Sequence, residues 1–348
     1  MKRHAALAAI CGAAALVAAA QSFAAGPVLS VAATTSALTA SGSTVLRFAD
    51  NGQEPVATID VYSPAGFGIE LDQPFGSTIG GIEAQATAAG ANVRLTGAIK
   101  SADPTGYVQA AAACTPGQPH HDAVWTAGLN GGGLSIDRLA LFVDRLSTGS
   151  GQRPASARIR ACLPRPDTPG FPIRLTAASL TLNGVFENPP AAGEYRWTTI
   201  FTTYSTSETV PAQSQTIVRL PPRLTLARRL IQPYGPRGRT FVRLSGSVTE
   251  SGRPVSGARV QVLSGPSQSS LARLAYATSF KGGKFSVVAP LRGRTVFRAR
   301  VSVPLRRGSV SRCTPFALQP EAICSSLTLA PFTAQSRSLT VAPDRVRP

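Results

Sequence analysis

The chain has 348 residues, of which 43% are hydrophobic, 15% charged and 6% aromatic, and it carries 32 glycines and 28 prolines. Gly costs about 1 and Pro about 3 kcal/mol inside a helix, so this composition excludes a bundle of long helices. Gly and Pro together stay below the ~25–30% of low-complexity disorder and the hydrophobic fraction suffices for packed cores, which excludes a fibrous or disordered chain. The formal net charge of +18 directs attention to an anionic partner.

Residues 1–24 read as a cleaved signal peptide. Lys2 and Arg3 form a basic start, residues 5–20 are all apolar or small, and Ser22, Phe23 and Ala24 supply a small-x-small cleavage pattern. The apolar run is about 16 residues long, short of the ~20 that cross a bilayer. No later segment is a continuous enough apolar run, so the mature chain is expected to be secreted and to have no transmembrane segment.

From residue 25 onward, strand signals recur between Pro, Gly and Asn punctuation, with strands expected at 44–49, 57–62, 93–99, 157–163, 173–182 and 196–204. Ala157, Ile159, Ala161 and Leu163 alternate with Arg158 and Arg160, the pattern of a half-buried strand. Residues 136–146 come nearest to a helical period. This rhythm predicts an all-β chain of tandem Ig-like antiparallel β-sandwich domains. One is expected over 25–103 and another over 104–220, as two units or a single one. Pro221 and Pro222 mark a linker, followed by a domain over 223–342 and a tail over 343–348.

Cys11 falls in the signal peptide, which leaves Cys114, Cys162, Cys313 and Cys324. An even count in an exported chain reads as disulfides. Three pairings are open, and Cys114–Cys162 with Cys313–Cys324 keeps each bridge within one expected domain. His120 and His121, beside Asp122, read as a polar surface loop, since adjacent side chains rarely converge on one ion. No metal or cofactor is expected: there is no Cys-x-x-Cys, and Gly131, Gly132 and Gly133 lack a strand–loop–helix context. No catalytic residue is assigned. A nucleophile elbow is missing, and the carboxylate pairs Glu187/Glu194 and Asp137/Asp144 are of a kind that any domain with 14 acids offers.

Charge divides the chain. Residues 26–218 hold 11 Lys and Arg against 14 Asp and Glu, whereas residues 219–348 hold 22 against three. Arginine makes up 31 of the 35 cations, as a GC-rich coding sequence would favour, but that bias does not explain the near disappearance of acids after residue 219.

The stretch after the linker carries Gly252, Pro254, Val255, Gly257 and Ala258, then Val260 and Val262, then Thr278, Gly282, Gly283 and Phe285. It resembles the carboxypeptidase regulatory-like and related bacterial Ig-like domains in the order of a G-x-P-V-x-G-A turn, a V-x-V strand and a T-to-G-x-F segment. The resemblance covers about 120 residues and implies a transthyretin-type sandwich serving as spacer, adhesin or accessory rather than peptidase. Gly257 supplies a backbone angle closed to bulkier residues, and Gly282 and Gly283 are expected to close a hairpin before Phe285.

Within this segment Arg292, Arg294, Arg298, Arg300 and Arg306 are all even-numbered, while Phe297, Ala299, Val301 and Val303 are odd. On a strand the two sets face opposite sides, so the arginines are expected to form a ladder spaced by ~6.5–7 Å, with Arg237, Arg239, Arg307 and Arg312 as extensions. Such a row suits carboxylates or phosphates along a polymer. Nucleic acid is a poor partner, because stacking on bases needs aromatics on that face. The expectation is a secreted, non-enzymatic structural or binding protein of the bacterial cell envelope, non-covalently held by anionic wall polymer or surface. The alternative is a secreted polysaccharide-acting hydrolase with a C-terminal accessory domain.

Overall fold

A computed structural model describes residues 26–50, 52, 54–88, 90–146, 155–166, 173–204, 210–231, 240–291 and 293–342. The signal peptide at 1–24 and the tail at 343–348 lie outside the described residues, as do Arg237, Arg239 and Arg292. The chain is all-β. Its first part runs β1 (Val28–Ala33), β2 (Ser41–Ala49), β3 (Val56–Pro64), β4 (Gly68–Ile69), β5 (Thr78–Ala88) and β6 (Ala91–Ala102), then a 3-10 turn (Pro104–Tyr107) and α1 (Val108–Cys114). It continues with β7 (Ala123–Gly131), β8 (Leu134–Arg145), β9 (Ala155–Cys162), β10 (Ile173–Glu187), β11 (Gly193–Thr203) and β12 (Ala212–Leu220). Next come β13 (Pro222–Leu224), β14 (Ala227–Ile231), β15 (Thr240–Glu250), β16 (Arg253–Pro254), β17 (Arg259–Gly265), β18 (Ala272–Thr278), β19 (Lys284–Leu291) and β20 (Thr295–Val303). The last are β21 (Arg306–Arg307), β22 (Ile323–Leu329), β23 (Phe332–Gln335) and β24 (Leu339–Val341).

One 14-stranded sheet has the order β1-β2-β10-β5-β6-β7-β8-β9-β3-β11-β12-β22-β21, with β4 beside β10. Alternating apolar residues from its strands converge on one core that includes Leu46, Ile82, Leu95, Trp125, Leu141, Ile159, Leu182 and Trp197. Phe67 and Phe186 meet the Trp197 indole edge-to-face at 5.4 and 4.9 Å, a geometry worth about 0.5–1.5 kcal/mol per pair beyond burial. The expected boundary at 103/104 does not divide this core. Ser101 of β6 pairs with Trp125 of β7, so residues on both sides of that boundary share a sheet. Residues 136–145, where a helical period comes nearest, are strand in β8 rather than helix. Among the described residues the one α-helix is the short α1.

The sheet wraps until β1 reaches β12, and the two meet through side chains. Ser214 Oγ accepts from the Leu29 amide at 3.0 Å and donates to the Leu29 carbonyl at 3.1 Å, while Thr216 Oγ1 accepts from the Val31 amide at 3.1 Å. The backbone edge of β12 is taken instead by β22, in parallel, with Thr216 opposite Thr328 and Ile217 opposite Leu329. Ser325 Oγ bridges the Pro27 and Gln213 carbonyls at 2.7 and 3.0 Å.

Parallel neighbours need a crossover connection, and here the crossover is an entire second unit. Two sheets, β13-β15-β14 with β16 and β19, and β18-β17-β20-β23 with β24, enclose a separate core of Val242, Leu244, Val260, Val262, Phe285, Phe297, Ala299 and Val301. The unit expected over 223–342 is thus interrupted, since β21 and β22 return to the large sheet. Glycine permits the tight packing at Gly246, where a Cβ would lie 2.6 Å from Phe285 Cζ. Gly282 and Gly283 do adopt positive φ of 84° and 71°, but the strands they join lie in different sheets. The turn is a crossover between layers rather than a hairpin.

The hydroxyls at the β1–β12 seam satisfy amides that would otherwise be buried and unpaired, a loss of about 1–3 kcal/mol each. Thr216→Val and Ser214→Ala are each expected to lower the unfolding free energy by about that amount, read from urea midpoints. Midpoints unchanged by both substitutions contradict this closure.

Candidate anion-binding face

β20 alternates as its sequence requires. Phe297, Ala299, Val301 and Val303 are buried, and Arg298 and Arg300 point to the opposite, outer side, half-buried and exposed respectively. The register places Arg300 opposite Gln261 of β17, which in turn faces Tyr276 of β18. Arg298 lies opposite Leu263, which faces Arg273 across a β-bulge. Arg259 comes in from the start of β17, its guanidinium carbon 3.9 Å from the centre of the Tyr276 ring. Arg273 Nη1 approaches the Tyr276 phenol oxygen at 3.5 Å. The outer face of β18-β17-β20 therefore groups Arg259, Arg273, Arg298 and Arg300 around one exposed tyrosine.

The partners of these cations are neutral. Arg298 donates to Ser338 Oγ from Nε at 3.0 Å and from Nη2 at 2.7 Å, and to Gln268 Oε1 at 3.4 Å. With the Gln335 carboxamide turned so that its oxygen faces Arg300, that oxygen accepts from Arg300 Nε at 3.1 Å and Nη2 at 2.9 Å. Among the described residues, the ion pairs of the chain leave out Arg259, Arg273, Arg294, Arg298 and Arg300. Arg294 is exposed in the turn before β20 and outside its paired register.

Arg306 does not belong to the ladder. Pro304 has no amide donor and cannot extend the β20 ladder, so the alternation stops at Val303 and the chain crosses to the large sheet. There Arg306 donates to Glu250 Oε2 at 2.5 Å, with the Glu250 side chain only 4% exposed. Glu194 stands nearby, paired with Arg196 at 2.9 Å, Arg219 at 3.1 Å and Arg253 at 3.4 Å. These charges join the sandwich to the barrel-like sheet.

Both disulfides take the local pairing, Cys114–Cys162 and Cys313–Cys324. Closing loops of 48 and 11 residues is worth about 4 and 3 kcal/mol in the chain-entropy model. The first fastens the end of α1 to β9. The second shapes a loop whose Phe316 packs on Tyr62 with ring centres 4.6 Å apart and whose Thr314 carbonyl accepts from Gln213 and Gln215 at 2.9 and 2.7 Å.

His120 and Asp122 are exposed in the loop before β7 as expected, but His121 between them turns its side chain inward. Its side chain is 1% exposed, with Nδ1 2.9 Å from Asp144 Oδ1 and Nε2 2.9 Å from Thr115 Oγ1. This Thr–His–Asp order has the connectivity of a hydrolytic triad but not its chemistry. Thr115 is 2% exposed, and its hydroxyl lies 2.7 Å from the Ala111 carbonyl and 2.6 Å from the Gln118 carbonyl, so its proton is already committed. Arg158 pairs with Asp144 at 2.6 Å and Arg160 with Asp60 at 2.6 Å. The hydrogen bond to Asp60 is the main cause that raises the Arg160 pKa above its ordinary value, and burial raises that of Tyr62. β9 is the half-buried strand its alternation predicts, and Arg158 and Arg160 on its other side are held in a partly buried polar belt. Of the carboxylates considered for hydrolysis, Asp144 and Glu194 are held in ion pairs, Glu187 is exposed, and the Asp137 side chain lies outside the described ones. Among the described residues, no three His, Cys, Asp or Glu cluster to hold a metal, and no helix is long and apolar enough to cross a membrane.

Neither a protein-family model nor a curated protein matches the chain. Among solved structures it is similar to a β-1,2-glucanase from Parabacteroides distasonis at 9% identity and a TM-score of 0.16, over 92% of this chain and 37% of the glucanase chain. The match thus spans well under half of the glucanase, and a likeness this faint carries no argument about fold or activity.

The hydrogen bond from Arg273 and the charges of Arg273 and Arg259 lower the Tyr276 pKa below 10.0, whereas burial raises those of Tyr62, Tyr195 and Tyr204. An absorbance titration is expected to show one phenol ionising ahead of these three, and Arg273→Gln is expected to move it upward. A titration indifferent to Arg273→Gln contradicts the geometry of this face.

Proposed function

We propose that the chain is an exported, non-enzymatic binding or structural protein of the cell envelope. On this reading the sandwich associates with an anionic wall polymer or surface, and the larger sheet serves as its rigid support. The observation that carries the reading is the group of arginines on the outer face of β17, β18 and β20, whose partners are hydroxyls, carboxamides and an aromatic ring. Two disulfides suit an oxidising compartment, in keeping with the basic, then apolar, sequence of residues 1–24. The resemblance of 223–342 to carboxypeptidase regulatory-like modules, which act as accessories and spacers, fits the same role.

Exposed guanidiniums bind polyanions through charge that salt screens over ~8–10 Å at 0.1–0.15 M. The mature protein is expected to co-sediment with purified bacterial cell walls at low salt and to be released as salt rises. The triple substitution Arg294→Gln, Arg298→Gln, Arg300→Gln is expected to shallow the log–log salt dependence by about 1 for each guanidinium withdrawn from the polymer. Retention that ignores both salt and the triple substitution overturns the proposal.

A further inference from the structure

The arrangement of the basic face narrows the ligand beyond its charge. One row crosses the sheet at right angles to its strands: Tyr276, Gln261, Arg300 and Gln335, each opposite the next in the register. With strands ~4.8 Å apart, it offers in succession a ring, a carboxamide, a guanidinium and a second carboxamide. A parallel row holds Arg273, Leu263 and Arg298, and Arg298 in turn bonds Ser338.

Each member suits a different part of an acidic sugar. Tyr276 is 44% exposed, yet it is not loose. Arg259 stacks 3.9 Å from its ring centre and Arg273 meets its hydroxyl at 3.5 Å. A ring held in this way loses little freedom when a ligand settles on it, and the C–H face of a pyranose is an apolar surface of matching size. Carboxamides donate and accept at once, as neighbouring sugar hydroxyls require. Guanidiniums bind carboxylates with two parallel hydrogen bonds. Single-stranded nucleic acid asks for several aromatics in succession, and Tyr276 is the one aromatic in these rows. A plain polyphosphate has no use for the ring or the amides.

We infer that the Tyr276–Gln261–Arg300–Gln335 row is a binding site for a polysaccharide whose sugars carry carboxylates, that is, uronic acids. The inference rests on the anion-binding reading and specifies the ligand within it.

The test uses the full mature chain with polygalacturonate, polyphosphate and single-stranded DNA of matched length, titrated calorimetrically near 0.15 M salt. Polygalacturonate is expected to bind about tenfold or more tightly than polyphosphate, a difference of about 1.4 kcal/mol. Tyr276→Ala is expected to remove about tenfold of the polygalacturonate affinity and to leave polyphosphate binding in place, while Tyr276→Phe keeps the ring and the affinity. Circular dichroism of both variants checks that the sheet is intact. Equal binding of all three polymers with Tyr276→Ala silent overturns the uronate assignment while leaving anion binding standing. Tightest binding of DNA overturns it in favour of a nucleic-acid face, and binding of none of the three overturns both readings.

Discussion

Two strands compete for one free edge of β12, and the outcome organises the molecule. β22 takes the backbone edge in parallel, which leaves β1 without a ladder partner on that side. Ser214 and Thr216 then supply hydroxyls to the β1 amides, Thr216 Oγ1 also contacts Thr328 Oγ1 at 3.0 Å, and Ser325 ties β22 to the chain just before β1. A hydroxyl both donates and accepts, so a short run of Ser and Thr can serve three strands where a ladder serves two. An all-apolar β12 would close the core equally well but would strand the β1 amides.

This junction also determines what the charges do. Because β12 and β22 are adjacent and parallel, the sandwich between them is held at both ends. Glu250 and Glu194, two of the few acids near the sandwich, are drawn into the joint with Arg219, Arg253 and Arg306. A buried ion pair is seldom a large net gain in stability, yet removing one partner costs about 3–5 kcal/mol. The joint is therefore intolerant of change without being the main source of folding energy. On the outer face of β17, β18 and β20, Arg259, Arg273, Arg298 and Arg300 are left with neutral partners. Among the described arginines of this part, Arg219, Arg253 and Arg306 thus serve the joint, whereas Arg259, Arg273, Arg298 and Arg300 face outward.

Much of this was readable from local pattern. The alternation of 297–303 gave the inward and outward sides of β20, and the even cysteine count gave two bridges. The failures lie where long-range topology overrides local signals. Arg306 keeps the even spacing of the ladder, but Pro304 ends the strand and the chain departs for another sheet. Gln213, Ser214, Gln215 and Thr216 carry no apolar signal, yet all four are buried, because their partners come from β1 and from the loop at 314. Nothing local to His121 announces Asp144 and Thr115. Tyr276 could have been found: in the run 272–278 it shares a side with Thr278 and opposes Ala275 and Ala277, an exposed aromatic among basic neighbours.

The central claim is that β1 is closed onto β12 by side-chain hydroxyls rather than left as an open edge. Native-state hydrogen exchange at the Leu29 and Val31 amides measures this directly. Protection comparable to that of the β5 and β6 amides in the middle of the sheet is the predicted result. Exchange of both amides at the rate of an unpaired edge strand would contradict the account.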